Sequence, residues 1–470
     1  MPDERFEEHL RRPLNRGTTS DGARSGAAGG AACGDLVRID VRVEAGTVVA
    51  TGFDAEGCGA TIAAGSAALT LIDGESLLDA ARVGTAEIAA ELGGLSAGKL
   101  HAAELAADAL HRALGEAARH DAQLDERPDR ILVAMSGGVD SAVAAHLTAQ
   151  SGADVVAVTL ELWRDADNDG DSSCCSASAV RGARALAHGM GLPHLTLDLR
   201  DEFRAGVVEP WLADTAAGLT PNPCVRCNGH VRLDAMLELA DRVGAPAMAT
   251  GHYAQTTGDG LLRAAEDPRK DQSYMLAALA PESIARLRFP LGALTKPEVR
   301  AIAEEAGLPV AAKPDSQDLC FLAGTGRDAF LARHGGVREH PGDLIDHDGR
   351  RLGRHRGHHA YTVGQRRGVG TGGTGEPLYV LATDAAANTV TVGPRAALET
   401  REVALTDLRL HRAAADVDGV RLRSHAAIVP CALDGDTARL AEPFVAAAPG
   451  QTAVLLCGDV VVGVATIGRR

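Results

Sequence analysis

No stretch of the 470-residue sequence is apolar for long enough to span a bilayer. The N-terminal run MPDERFEEHLRR carries charges of both signs and has no apolar centre, so no secretory signal is expected there. Both absences point to a cytoplasmic protein that needs no membrane. The nine cysteines are an odd number at irregular spacing. That excludes a disulfide scaffold and suggests reactive or metal-binding thiols in a reducing compartment. Apolar residues make up 45% of the chain and charged residues 23%, with a mean hydropathy of -0.03, which suits soluble globular cores. The length allows about two to four domains. A net charge of -16 argues against indiscriminate nucleic-acid binding. Acid is nevertheless missing from residues 349–375, where Arg350, Arg351, Arg354, Arg356, Arg366 and Arg367 gather with three histidines. An arginine- and glycine-rich run of this kind suits RNA backbone and irregular RNA shape.

A further absence concerns the sharpest motif. Residues 131–135, I-L-V-A-M, predict a strand buried on both faces. S-G-G-V-D-S follows at 136–141, and then a helix-favouring segment at 142–150. No lysine follows the glycines, so this is not a Walker phosphate loop. Strand, glycine turn and helix still aim unpaired backbone N–H groups at an anion. Gly137 and Gly138 let backbone approach a phosphate, and Ser136 and Ser141 add hydroxyls. Asp140 fits beside phosphate only if it holds magnesium or caps the helix. The motif resembles the loop of the ATP pyrophosphatase group. The resemblance implies that it holds the pyrophosphate end of ATP while AMP passes to a substrate oxygen.

In the first 120 residues, glycine- and alanine-rich 22–34 predicts a loop or mobile arm. Residues 36–43 alternate as a half-buried strand, with 47–53 as its hairpin partner. Residues from 61 onward, 76–81 and 100–118 have helical composition. Three polar features punctuate the region: C-G-D at 33–35, G-C-G at 57–59 and K-L-H at 99–101. With the entry segment HLRRPLNRG they resemble the iron–sulfur scaffold family of the IscU or NifU N-terminal type. The resemblance implies Cys33, Asp35, Cys58 and His101 as metal ligands. The cysteine that directly follows the histidine in that family is Ala102 here. Two thiolates, one imidazole and one carboxylate are still enough to hold zinc or iron in a tetrahedron. A retained fold with a dead site is the other reading.

A polar linker at 121–129 leads into strands at 154–160, 194–199 and 247–250, with helices at 180–190 and 231–242 between them. Alternating strands and helices predict an α/β, doubly wound parallel sheet with its site at the carboxyl ends of the strands. Asp165, Asp167, Asp169 and Gly170 mimic the start of a calcium loop, but Ser176 stands where the required glutamate belongs, so a solvated acidic loop is expected. The adjacent Cys174 and Cys175 are expected to be structural thiols. Short strands at 378–382, 389–393, 420–424, 438–441, 453–457 and 460–467 predict a C-terminal β-barrel. The expected domains are 1–122, α+β and scaffold-like; 129–325, nucleotide-binding; 326–375, a small linking domain that contacts tRNA; and 376–470, the barrel.

T-P-N-P-C-V-R-C-N at 220–228 offers Cys224 and Cys227, and D-S-Q-D-L-C-F at 315–321 offers Cys320. These motifs occur in order with S-G-G-V-D-S, A-T-G-H-Y-A (249–254), K-D-Q-S-Y-M-L (270–276) and G-Q-R-R-G (364–368). Together they are similar to the bacterial tRNA-specific 2-thiouridylase (MnmA) family, from about residue 130 to the end of the sequence. The resemblance implies ATP- and Mg2+-dependent thiolation at carbon 2 of the wobble uridine of tRNAs of the Lys, Glu and Gln type. Adenylation would turn the carbonyl oxygen into a leaving group. A cysteine desulfurase or sulfur-relay partner would load Cys320 as a persulfide. Cys227 would be the nucleophile, releasing hydrosulfide or closing a disulfide with Cys320. By the same resemblance Ala134, Met135, Ser136, Gly137, Gly138, Val139, Asp140, Ser141, Leu160 and Gly251 face ATP. Asn222, Pro223, Cys224, His252, Lys270, Asp271, Gln272, Arg423, Ser424 and Gln451 face tRNA, with Ser424 standing where the family usually has tyrosine.

Many members carry aspartate at the position of Cys224. A second scheme therefore has Cys224, Cys227 and Cys320 holding an iron–sulfur cluster that carries the transferred sulfide. Two other functions compete: an adenylating synthetase acting on another substrate, and a sulfur or iron–sulfur carrier with an inactive nucleotide site.

Overall fold

The computed structural model describes residues 4–30, 34–164, 176–315, 319–322, 324–369, 377–424 and 426–469. They form two compact units, Met1–Arg200 with Asp234–His252 and Arg286–Phe321, and Asp201–Leu233 with Tyr253–Ala285 and Leu322–Arg470. The acidic 165–170 run, Cys33, Cys174 and Cys175 lie outside the described residues.

The first unit opens with α1 (Glu4–Arg11) and the antiparallel strands β1 (Arg24–Gly29), β2 (Leu36–Glu44) and β3 (Thr47–Glu56), in spatial order β1-β2-β3. Along β2, Val37, Ile39, Val41 and Val43 are buried, the period-2 pattern of a sheet covered on one face. The helices α2 (Gly59–Ile72) and α5 (Leu100–His120) cover it, with the short α3 (Leu77–Ala80) and α4 (Thr85–Glu91) between them. Residues 24–29, expected in a loop, form a strand instead, running from Arg24 opposite Val41 to Gly29 opposite Leu36. The reason is packing. A Cβ on Gly26 would stand 2.1 Å from the Ala109 carbonyl oxygen on α5. The small residues that suggest a loop are what lets this strand lie against helix backbone.

The same unit holds β4 (Arg130–Ala134), α6 (Val139–Gln150), β5 (Asp154–Glu161), α7 (Ala177–Gly189), β6 (His194–Asp198) and β7 (Ala247–Ala249). With Leu287–Arg288 they make a five-stranded, all-parallel sheet in the order Leu287–Arg288, β7, β4, β5, β6. This is the expected doubly wound sheet. Chain order reverses between β4 and β7, so the loops leaving those two strands meet at the switch point where such sheets bind ligands. The Leu287–Arg288 strand and the Lys296–Glu305 helix have no counterpart in the sequence reading.

The scaffold-like segment is packed onto this sheet. A Cβ on Gly115 of α5 would stand 1.9 Å from the Thr196 carbonyl oxygen of β6. Asp108 of α5 accepts from Arg184 at 2.7 Å and from Arg181 at 2.8 Å, both on α7. The Arg112 Nε donates to Glu161 at 2.9 Å. The His111 ring nitrogens face the carbonyl oxygens of His194 and Val83, each at 2.8 Å.

In the second unit, Arg351–His355, Gly342–Ile345, Thr389–Gly393 and Tyr379–Asp384 form a four-stranded sheet in that spatial order, with strands on both sides of residue 376. Two of the strands expected in the barrel thus belong to a separate sheet. The barrel itself is a closed antiparallel ring of six strands: Glu399–Leu410, Thr437–Val445, Val429–Asp434, Gly419–Arg421, Thr452–Cys457 and Val460–Ile467. Val420, Leu422, Leu455 and Val462 fill its core. No helix among the described residues is long and apolar enough to cross a membrane.

Candidate nucleotide, cysteine and metal sites

The loop after β4 is held closed by its own side chains. The Ser141 hydroxyl donates to the Gly138 carbonyl at 3.1 Å and accepts from the Ser136 N–H at 3.1 Å. Gly137 takes φ +71°, a conformation that favours glycine, and Gly138 is the extended N-cap of α6 with no side-chain cap. No side chain of the N-cap residue covers the first turn of α6. Thr159 on β5 donates to the Met135 carbonyl at 2.9 Å and so fixes the start of the loop. Ala134 is half-buried, and Met135, Val139 and Leu160 are buried around it. Gly251, after β7, lies against the loop. A Cβ there would stand 2.7 Å from the Ser141 nitrogen and 2.8 Å from the Asp140 carbonyl carbon. Its neighbour His252 shares a 2.9 Å hydrogen bond with Thr250.

Asp140 has a partner that sequence reasoning missed. The Lys296 ammonium donates to the Asp140 carboxylate at 2.7 Å and to the Asp315 carboxylate at 2.8 Å. Arg300 reaches Asp315 at 3.2 Å, and Lys313 donates to the Gly137 carbonyl at 2.9 Å. Thr295 and Glu298 form a capping box that marks the start of the Lys296–Glu305 helix in the sequence. Nothing local shows that its lysine reaches a loop 156 positions upstream.

Cys224 and Cys227 sit on the short Pro223–Cys227 helix of the second unit. The Asn222 side chain caps it by accepting from the Cys224 N–H at 3.2 Å and the Val225 N–H at 3.4 Å, and Pro223 pre-sets its first turn. Cys227 is buried and Cys224 half-buried. Asp271 is buried. It accepts from the Ala265 and Ser273 N–H groups and pairs with Arg421 at 2.7 Å. Gln272 accepts from the Tyr253 N–H at 3.1 Å, and Gln451 donates to the Thr220 carbonyl at 2.7 Å. Ser424 hydrogen-bonds the Tyr274 hydroxyl at 2.7 Å, and Arg423 donates to the Ala446 carbonyl at 3.0 Å. Burial is the main cause that pushes the Tyr274 phenol above its ordinary value, and a negative charge at Cys224 adds to it. Lys270 is half-buried. Cys320, half-buried in a turn, belongs to the first unit.

Asp35, Cys58 and His101 meet with one donor atom each within 4.8 Å of the others. One Asp35 oxygen lies 3.0 Å from the His101 Nε2 and 3.7 Å from the Cys58 Sγ, while Thr61 donates to it at 3.0 Å. The other accepts from the Cys58 N–H at 3.0 Å. Burial opposes ionisation of Asp35, but the hydrogen bonds from His101, the Cys58 amide and Thr61 outweigh it and hold the carboxyl below its usual range. Edges of a zinc tetrahedron with these donors run about 3.3–3.8 Å. A thiolate, an imidazole and a carboxylate at these spacings fit such an ion. Ala102 is fully buried in α5 and offers no ligand.

Three family models match in succession: a NifU-like N terminal domain over residues 3–123, a tRNA methyl transferase HUP domain over 129–324, and a tRNA methyl transferase PRC-barrel domain over 328–394. The tRNA-specific 2-thiouridylases MnmA of Rhizorhabdus wittichii and Salinispora tropica are 43% and 44% identical. They match 71% and 72% of this chain and 90% and 98% of their own length. The Bifunctional protein NifU/MnmA of Rubrobacter xylanophilus is 43% identical over 98% of both chains. A likeness that covers 98% of the chain, from the scaffold-like segment through the parallel sheet to the barrel, shows that the chain belongs to the bifunctional NifU/MnmA family.

Proposed function

We propose that this protein is a cytoplasmic, ATP-dependent tRNA 2-thiouridylase that acts on the wobble uridine of tRNAs of the Lys, Glu and Gln type. The observation that carries this reading is the anion loop, open at the α6 N-terminus, in a chain that also presents Cys227 and Cys320. The uridine O2 attacks the α-phosphorus of ATP, and pyrophosphate leaves into the 136–141 loop. Asp140 is the carboxylate that would hold Mg2+ beside its Lys296 partner, and the chemistry of that ion is to neutralise phosphate charge.

A cysteine desulfurase or sulfur-relay protein loads Cys320 with sulfane sulfur. The Cys227 thiolate attacks the Cys320 sulfur, closes a disulfide and releases hydrosulfide. Hydrosulfide adds to carbon 2, AMP departs with the oxygen, and a thiol reductant reopens the disulfide. Cys224, Cys227 and Cys320 are also the residues that would hold an iron–sulfur cluster, whose chemistry is to present sulfide without a persulfide. Among the described residues Asp35, Cys58 and His101 would hold zinc or iron in the N-terminal segment. The two thiols speak for sulfur transfer rather than the methyl transfer in the names of the matching domains. The basic 349–369 run suits a tRNA partner.

Nucleoside mass spectrometry of tRNA incubated with protein, Mg2+ and a persulfide source tests the reading. 2-Thiouridine is expected with ATP and not without it. Cys227→Ser and Cys320→Ser are each expected to abolish it. Full activity in both variants overturns the assignment. Iron retained after anaerobic purification, and lost in Cys224→Ser, would select the cluster scheme.

A further inference from the structure

The sequence contains four lysines, Lys99, Lys270, Lys296 and Lys313, among 47 basic residues. Two of the four reach the 136–141 loop. Lys296 is 8% exposed, and its ammonium bridges Asp140 and Asp315. The exposed Lys313 places its ammonium 2.9 Å from the Gly137 carbonyl. Both come from the segment after the last strand of the sheet, so no motif next to the loop contains them. A compact ammonium with three donors is the cation that binds phosphate as a point charge. Lys296 and Arg300 face the carboxylates of Asp140 and Asp315 here, and Lys313 faces a carbonyl oxygen.

We propose that Lys296 and Lys313 are the phosphate-binding cations of the nucleotide site, taking the place of the lysine that the loop itself lacks. Lys313 stands at the open rim, where its side chain can turn from the Gly137 carbonyl to a phosphate oxygen. Lys296 works from beneath. It neutralises Asp140, which would otherwise repel phosphate, and bridges that residue to Asp315. The inference rests on the reading of this loop as an ATP site and adds to it the residues that supply the charge.

The test is calorimetric titration of the full-length protein with magnesium pyrophosphate and, separately, with adenosine. Lys313→Met and Lys296→Met are each expected to weaken pyrophosphate binding tenfold or more and to leave adenosine binding within twofold. Lys313→Arg is expected to restore most of the loss. A merely structural lysine would lower both affinities together. Because Lys296 is buried, its variant is compared with wild type by thermal melting, and exposed Lys313 carries the test if that variant unfolds. Pyrophosphate affinity within twofold of wild type in Lys313→Met overturns the proposal, as does a wild-type protein that binds no pyrophosphate. Pyrophosphate binding that depends on the lysines, in a protein that makes no 2-thiouridine, would keep this inference and remove the thiolation reading.

Discussion

Gly251 shows how a single residue can shape the proposed nucleotide site without touching chemistry. A methyl group there would enter the backbone of Asp140 and Ser141 at 2.7–2.9 Å, and backbone cannot step aside as a flexible side chain can. Gly251→Ala is therefore expected to push the loop off its geometry at a cost of about 1–3 kcal/mol. ATP binding should weaken about tenfold or more, and the melting temperature should fall by about 2 °C or more. Unchanged nucleotide affinity by titration would show that the loop yields. Asp140 marks where reading the sequence stopped. The residue types allowed a magnesium ligand or a helix cap, and the structure pairs it with Lys296 from 156 positions downstream. A motif shows what lies beside it in the chain and not what tertiary packing brings to it. Asp35, Cys58 and His101 were legible because a resemblance joined three separated motifs, and the structure brings the three together.

At the scale of elements, the parallel strands could be read because each is a short, nearly all-apolar run with turn residues at both ends. Arg24–Gly29 could not, because glycine there serves close approach to α5. Glu399–Leu410 was hidden by its charges: this twelve-residue barrel strand faces solvent along much of its length, with Val403 and Leu405 turned inward. The α5–α7 contact was also out of reach of local pattern. Asp108 and Arg184 are both nearly fully buried and hold each other at 2.7 Å. Asp108→Ala leaves the guanidinium buried without that partner and is expected to cost about 3–5 kcal/mol, read by denaturant unfolding. A loss below about 1 kcal/mol would mean that water reaches Arg184.

The same contact carries a pH dependence. Burial is the main cause that holds His188 below its ordinary value, and burial together with His111 and Arg184 holds His194 well below its own. Burial likewise depresses His111, against the pull of the two carbonyl oxygens it faces. The nearby charged groups are Arg184, Arg82 and Glu87. A base with a depressed folded pKa takes up its proton more readily when unfolded, so stability rises with pH across the gap. This contribution is complete above about pH 6.5, the ordinary histidine value, and falls away as pH drops below it. Melting temperatures that fall between pH 7.5 and 5.5 are expected, and a His188→Asn, His194→Asn double variant should flatten that slope. An equal slope in the variant would assign it to other groups.

At the scale of the whole molecule, the question is whether the scaffold-like segment rides on the enzyme or is part of its body. The thiouridylases of Rhizorhabdus wittichii and Salinispora tropica match 71% and 72% of this chain while 90% and 98% of their own length is covered, so they have no room for all of it. In this chain, however, α5 fills the face of β6 closely enough that Gly115 admits no side chain. It also neutralises Arg184 with Asp108 and Glu161 with Arg112. Removing residues 1–122 would strip buried charges of their partners and open the apolar surface around His194 to water. Water would then reach Arg184, so the loss of stability comes from the buried face that α5 covers rather than from the broken pair. The 123–470 fragment is therefore expected to melt well below the full chain. It should still make 2-thiouridine from tRNA, ATP and hydrosulfide at low temperature, because the 136–141 loop, Lys296, Lys313, Cys227 and Cys320 all remain. A fragment as stable as the full chain would mean that α5 merely rests on the sheet. A stable fragment that is inactive with hydrosulfide would instead place the segment inside the reaction.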